Sequence, residues 1–418
     1  MARAGTGAAP RTMLFWIHLA LGLTAGTATF TMSVTGALLA LQPQMLQWLE
    51  RDQRLVVSGG REPLPPSALI GAALPAADGR ADPVSLTVSA DPAEAVLVSL
   101  GRDRIRYVDP YTGSVTGEGA RGARRFFRVL TEFHRWLAAP AEWRLTARFV
   151  TGWSTLAFVA LVVSGFVLWI PRRLNRASLA RSVRPGWAPT PKARHFNWHT
   201  VVGFWCAPVL LILACTGVVL AFPWANRLLY VAAGTPQSPP LARPAGATAE
   251  RSDGSGVRAE SAAAPDYRTV DAAWSVATAR LPTWQTIAIR IPASADGPVS
   301  FTITDATHWN RFARSQLVVS GSSGAVLRWE PYSDITRGQR WRGWARFAHT
   351  GELFGLAGQL LAGLASAGAA LLVWTGMSLA FRRLVRASSA ARGVVFAATR
   401  VVGRRTSGPE PVTQAEQN

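Results

Sequence analysis

At 418 residues, 49% of them apolar and with a positive mean hydropathy, the chain is too apolar to be a soluble assembly of two or three domains. Its formal net charge of +20 is not laid out as a nucleic-acid surface, because it gathers in a loop over Arg172 to Arg194, with six Arg and one Lys, and in a tail over Arg382 to Arg405, with seven Arg. Short basic runs of this kind flank membrane spans on the cytoplasmic side, so the partner they imply is a lipid bilayer and no nucleic acid.

In chain order, residues 1–12 form a basic cytoplasmic N-terminus and 13–42 a first transmembrane helix. Its apolar run, Met13 to Leu41, is 29 residues, about twice the core of a secretory signal, and reads as a retained span. Residues 43–125 form a first external module. A helical pattern over Pro65 to Ala76 is followed by the alternating runs PVSLTVSA, AVLVSL and RIRYVDPYTGSV, which predict a helix and about three antiparallel strands with one packed face. Residues 126–170 carry His134 and the second span, Thr151 to Ile170, with Pro140 breaking the chain between them. The basic loop of 171–194 leads into the third span, Val201 to Phe222, within 195–226.

Residues 227–340 hold a linker and a second external module. Its lead-in, 235–266, is rich in Pro, Ala, Ser and Gly and reads as flexible. The helical TVDAAWSVATARLP and the alternating TIAIRIPA, PVSFTITD and SQLVVSGSSGAVLRW then repeat the order of the first module. The fourth span, Leu353 to Phe381, lies within 341–381, and 382–418 is a basic cytoplasmic tail. Four spans with the basic loop inside place both termini in the cytoplasm. Cys206 and Cys215 fall on opposite faces of the third span and are small apolar fillers. The fold class is thus a mainly α membrane protein, a four-helix bundle carrying two small α+β external modules.

The spans themselves repeat. Near the end of each stands a small hydroxyl residue followed by glycine: Thr35-Gly36, Ser164-Gly165, Thr216-Gly217 and Thr375-Gly376. Taken alone, these pairs read as close helix packing. As a ruler, they set His18 and His199 each 18 residues before the glycine of their span. His134 and His349 occupy the entrances of the second and fourth spans in a looser register. Each span therefore carries one histidine, and two of the four fall on each side of the membrane.

A single histidine at a membrane boundary is more often an interfacial residue than a ligand. One per span is harder to explain that way, because ionisable residues at membrane depth are costly and tend to be functional. Two imidazoles facing each other across a bundle have the arrangement that holds a haem iron from both axial sides. Zinc is the alternative, with His195 and His199 four apart, but no acidic residue lies nearby and Cys206 is almost two turns away. His308, in DATHWNRF, reads as a loop residue of the second module. Arg135, Arg342 and Arg346 flank the outer histidines and suit haem propionates or an anionic substrate, or act as interface anchors. The Trp residues at span ends fit an aromatic belt.

FHRWL, WHTVVGFW with CTGVVLAF, AHTGELFGLAG with VWTGM, and YVDPYTGSVTG together resemble the PepSY-associated transmembrane family, whose members include di-haem ferric-siderophore reductases of bacterial inner membranes. The resemblance implies that the external modules are PepSY-like and periplasmic. It also implies two haem b groups, ligated by His18 with His199 and by His134 with His349. His195 is a secondary candidate there, and Arg135 and Arg346 are propionate partners. The function it implies is electron transfer from the cytoplasmic side to a periplasmic ferric chelate such as a ferric-siderophore, so that iron is released as Fe(II). The chain has no nucleotide or flavin fingerprint, so the donor would be a quinol or a cytoplasmic reductase. The competing expectation is a haem-free PepSY-type membrane protein that binds or regulates an external partner.

Overall fold

The computed structural model describes residues 8–74, 84–101, 104–171, 175–187, 189–236, 267–292, 297–308, 312–321 and 323–406. Most of the expected flexible lead-in, 235–266, lies outside these residues, as do Arg172, Arg173 and the end of the basic tail. Twelve helices are described: α1 (Ala8–Leu39), α2 (Gln42–Leu49), α3 (Arg51–Arg54), α4 (Pro66–Ala73), α5 (Arg121–Trp136), α6 (Arg144–Trp169), α7 (Arg176–Val183), α8 (Pro191–Ala221), α9 (Pro223–Ala232), α10 (Arg268–Arg280), α11 (Arg337–His349) and α12 (Gly355–Thr406). Four stretches are long and apolar enough to cross a membrane: Pro10–Leu39, Arg121–Trp169, Pro191–Ala221 and Glu352–Arg386. Phe30, Phe149, Phe166, Ile212, Leu364 and Phe381 on these stretches are exposed. Lipid covers apolar surface of this kind, and the helical backbone needs no hydrogen bond from it.

The described residues fold as two compact units. One is built from 8–34, 149–214 and 365–406. Here α8 and α12 pack through Leu210, Ala365 and Ala369, with Phe158 and Val162 of α6 against them. Gly368 makes the close approach possible, since a Cβ there would stand 2.6 Å from Cys206 Sγ. At the end of α6, Arg11 donates to the carbonyls of Leu168 and Ile170, both at 2.6 Å, and so satisfies acceptors that a helix terminus leaves open.

The other unit comprises 35–148 and 215–364 and contains the strands. These are β1 (Val84–Ser89), β2 (Val96–Leu100), β3 (Arg104–Val108), β4 (Val115–Gly117), β5 (Trp284–Ile291), β6 (Val299–Asp305), β7 (Arg314–Val319) and β8 (Val326–Glu330). Each of the two segments between spans, 43–125 and 227–340, supplies four strands. They do not form two separate sheets: all eight make one antiparallel sheet in the order β4-β3-β2-β1-β5-β6-β7-β8. The seam pairs β1 with β5, from Val84 opposite Ile291 to Ser89 opposite Thr286. Edge-to-edge joining satisfies backbone groups that β1 and β5 would otherwise expose.

Alternation puts Leu86, Val96, Val98, Ile287, Ile289, Phe301 and Leu317 on one face, where α4 and α10 cover them with Leu69, Ile70, Val270, Ala273 and Ala277. The two helices are joined by Asp271, which accepts from the Ser67 backbone N–H and hydroxyl. The opposite face is polar over most of its width, with Ser85, Ser99, Ser300, Thr302 and Gln316 half-buried.

Candidate functional site

The structure brings His18 to His199, and His134 to His349. In the first pair the ring centres are 6.4 Å apart and the planes nearly perpendicular, at 89°. In the second they are 6.3 Å apart at 58°. The similarity of the two distances is physically informative. An iron bonded to two imidazole nitrogens at about 2 Å, each ring centre lying ~1.1 Å behind its nitrogen, would set the centres about 6.2 Å apart.

Each ring is held by a hydroxyl. His18 Nδ1 lies 2.8 Å from Ser164 Oγ, and His199 Nδ1 lies 3.0 Å from Thr375 Oγ1. His134 Nδ1 lies 3.1 Å from Thr35 Oγ1, and His349 Nδ1 lies 3.2 Å from Thr216 Oγ1. The bonds are reciprocal: α1 gives its histidine to α6 and its threonine to the histidine of α5, while α8 does the same with α12 and α11. In the first pair the proton positions follow. Ser164 Oγ donates to the Ala160 carbonyl at 2.6 Å and Thr375 Oγ1 to the Leu371 carbonyl at 2.8 Å. A hydroxyl has one hydrogen, so each must accept from its histidine. Nδ1 therefore carries the ring proton and Nε2 keeps its lone pair free for a metal, the arrangement that a neighbouring acceptor imposes on ligating histidines.

These hydroxyls are the residues the sequence analysis placed in packing rather than in the site. The signal was the hydroxyl-glycine pair itself. A Cβ at Gly165 would lie 3.2 Å from His18 Cε1, and one at Gly376 would lie 3.1 Å from His199 Cε1. The glycine lets the ring lie against the helix, and the hydroxyl beside it binds the ring.

The second pair is built differently. His134 and His349 belong not to α6 and α12 but to the preceding helices α5 and α11, each in the last turn. The break after α5 comes earlier than Pro140: Leu137 and Ala138 take left-handed φ of 51° and 56°, closing the helix before the 3-10 turn Ala141–Trp143. After His349 the chain turns through Gly351 at φ 76°, where a Cβ would meet the Gly358 carbonyl oxygen at 2.7 Å. This accounts for the looser register of these two histidines. A turn intervenes between each of them and its span.

The start of α5 is fixed by Glu50, which is buried at the junction of α2 and α3. It accepts from Arg124 Nε and Nη2, both at 2.6 Å, from the Ala120 N–H at 2.9 Å and from the Tyr107 hydroxyl of β3 at 2.8 Å. Burial alone would raise the carboxyl's pKa, but the bonds from Arg124, Ala120 and Tyr107 outweigh it and hold it below the ordinary value. Burial and the bond to the Glu50 carboxylate push the Tyr107 hydroxyl up to about 12.

Of the other candidates, His195 joins neither pair, and its buried Nδ1 has no hydrogen-bond partner among the described residues. His308 stands 3.3 Å from the Asp305 carboxylate and edge-on to Tyr332. Arg135 lies over the Trp136 ring at 4.5 Å and Arg346 over Phe347 at 5.7 Å. Among the described residues, no group of three or more His, Cys, Asp or Glu gathers as a closed zinc site requires.

The profile of the PepSY-associated TM region matches residues 15–383. The chain belongs to the PepSY-associated transmembrane family. In this PepSY-associated protein the match takes in all four paired histidines, all four hydroxyl partners and both strand-bearing segments. No curated protein matches the chain. Family and helices together make it a multi-pass membrane protein.

Proposed function

We propose that this protein is a di-haem electron-transfer protein of a bacterial inner membrane. It passes electrons from the cytoplasmic side to a periplasmic ferric chelate such as a ferric-siderophore, with one haem b held by His18 and His199 and another by His134 and His349. The observation that carries this reading is the pair of ring separations, 6.4 and 6.3 Å, with every Nδ1 engaged by a hydroxyl. A haem bound between two histidines supplies a one-electron carrier with both axial positions filled.

The residues of the chain supply the rest. Ser164 and Thr375 accept from Nδ1 and hold each ring in place, so the ligands are already oriented. Apolar packing from Leu210, Ala365 and Ala369 keeps water out of the unit that holds His18 and His199. The basic loop and tail orient that pair toward the cytoplasm, with both termini inside. The external segments act as PepSY-like modules presenting the chelate. One electron converts Fe(III) in the chelate to Fe(II), which hard oxygen ligands hold less tightly, so iron is released and the chelator is left intact.

Visible absorption of the purified protein, with and without dithionite, tests the reading. Two haems per chain and a reversible redox spectrum are expected, with reoxidation when a ferric chelate is added to the reduced protein. A protein that takes up no haem on reconstitution would overturn it in favour of a haem-free binding or regulatory role.

A further inference from the structure

The second unit carries a surplus of positive charge beside the His134–His349 pair. On α11, Arg342 and Arg346 precede His349 by seven and three residues, which places all three on one side of the helix. Between them Phe347 is buried and stacks on Phe312, with ring centres 3.2 Å apart and planes within 16°. That stack fixes the start of β7 against α11 and brings in Arg314, the first residue of the strand. Arg346 is the common neighbour: its charge acts on Arg135, Arg314 and Arg342, and Arg148 acts on Arg135 in turn. Burial, and after it the charge of Arg346, lowers the pKa of Arg314.

Negative charge in the same place is scarce. Glu352 is the one carboxylate that acts on Arg314, and among the described residues Arg314, Arg342 and Arg346 have no ion-pair partner. Five arginines less one glutamate leave a formal +4. Two haem propionates, on the reading above, would reduce this to +2, so ligation of the cofactor does not use up the cluster. Neutral polar groups adjoin it. Gln316 shares the outward face of β7 with Arg314, and its cross-strand partner is Thr302.

We propose that Arg314, Arg342 and Arg346 form a receiving site for the substrate that selects net-negative, oxygen-rich ferric chelates, of carboxylate or catecholate type, over neutral hydroxamate ones. The proposal rests on the ferric-chelate reading and names its substrate class. Arginine forks match carboxylate oxygens two at a time, Gln316 and Thr302 add neutral hydrogen bonds, and the site adjoins the histidine pair from which an electron would leave.

Gallium(III) citrate is a redox-inert probe, so its binding can be measured without any electron transfer. Calorimetry in zwitterionic nanodiscs should show binding that weakens with salt, and a neutral gallium(III) trihydroxamate should bind about tenfold less tightly. Arg314→Gln with Arg346→Gln should weaken citrate binding about tenfold or more and flatten its salt dependence, while Arg314→Lys with Arg346→Lys should retain most of it. Equal affinity for citrate and hydroxamate in the unaltered protein would overturn the proposal, a comparison that needs no variant to fold. So would unchanged citrate binding in a folded glutamine double variant. Arginine-dependent binding of gallium citrate without reduction of ferric citrate would instead sink electron transfer and leave the anion site standing. Reduction of neutral ferric hydroxamates without citrate binding would do the reverse.

Discussion

The two histidine pairs present similar ring spacings from opposite kinds of scaffold. His18 and His199 lie inside long helices, each ring against a glycine and each Nδ1 on a hydroxyl whose own proton is committed to the backbone. His134 and His349 lie in the last turns of shorter helices that end in left-handed residues, with arginines close by. The first arrangement fixes ligands by packing, so few alternatives exist for the side chains. The second fixes them by capping and turns, which leaves one side open to charged groups. A site that exchanges electrons with a bound chelate needs the second kind of access.

The largest test of this comparison removes a ligand. His199→Ala should abolish haem at the first pair and spare the second, and His349→Ala should do the opposite, each halving haem stoichiometry. Loss of both haems from either substitution would show that the pairs do not bind independently. Next comes the glycine contact. Gly376→Ala would set a methyl 3.1 Å from His199 Cε1, and should lower haem retention about tenfold at that pair alone. The redox spectrum of the haem proposed at His134 and His349 serves as its internal control.

Removing a hydroxyl acts more gently. Thr375→Val keeps the shape but takes away the acceptor for His199 Nδ1–H, and should shift the reduction potential of the haem proposed at His18 and His199 and weaken its retention up to about tenfold. Thr375→Ser should restore both. A Thr375→Val protein with unaltered potential would mean that the hydroxyl only packs.

The smallest effect concerns the mounting of α5. Glu50→Gln should cost about 2 kcal/mol of stability at neutral pH, because Arg124 is left partly buried without its carboxylate. The folded pKa of Glu50 is depressed. Its contribution is therefore complete above the unfolded carboxylate value of about 4.3 and is lost as pH falls through the lower folded value. Thermal melts of the two proteins should converge in acid, and a gap that persists to the lowest pH would rule out the ionised carboxylate as its source.

Much of this was legible in the chain itself. The four spans and three alternating runs in each module follow from local periodicity, because hydropathy and side-chain alternation are properties of neighbouring residues, while the fourth strands, β4 and β8, are not separated from the runs of β3 and β7. What could not be read was pairing at a distance. Nothing local to PVSLTVSA says that β1 will join β5 rather than remain the edge of a separate sheet, since both strands have the same pattern and the lead-in between the modules constrains neither. The role of Ser164 was hidden for a similar reason. A hydroxyl-glycine pair is what close packing and a histidine cradle both require, and only the neighbouring helix distinguishes them. Even so, the recurrence of the pair in every span beside one histidine per span was the available clue.

The reciprocal hydroxyl bonds also divide cleanly along the chain. Cut in the basic loop, the chain falls into halves. Each half keeps all its histidine–hydroxyl bonds, His18 with Ser164 and Thr35 with His134 in one, His199 with Thr375 and Thr216 with His349 in the other. Yet each half owns only one ring of each pair and only four strands of the sheet. Two separate half-length, two-span chains would therefore be enough to bring together both pairs and the whole sheet, and a cut in the basic loop would part no histidine from its hydroxyl.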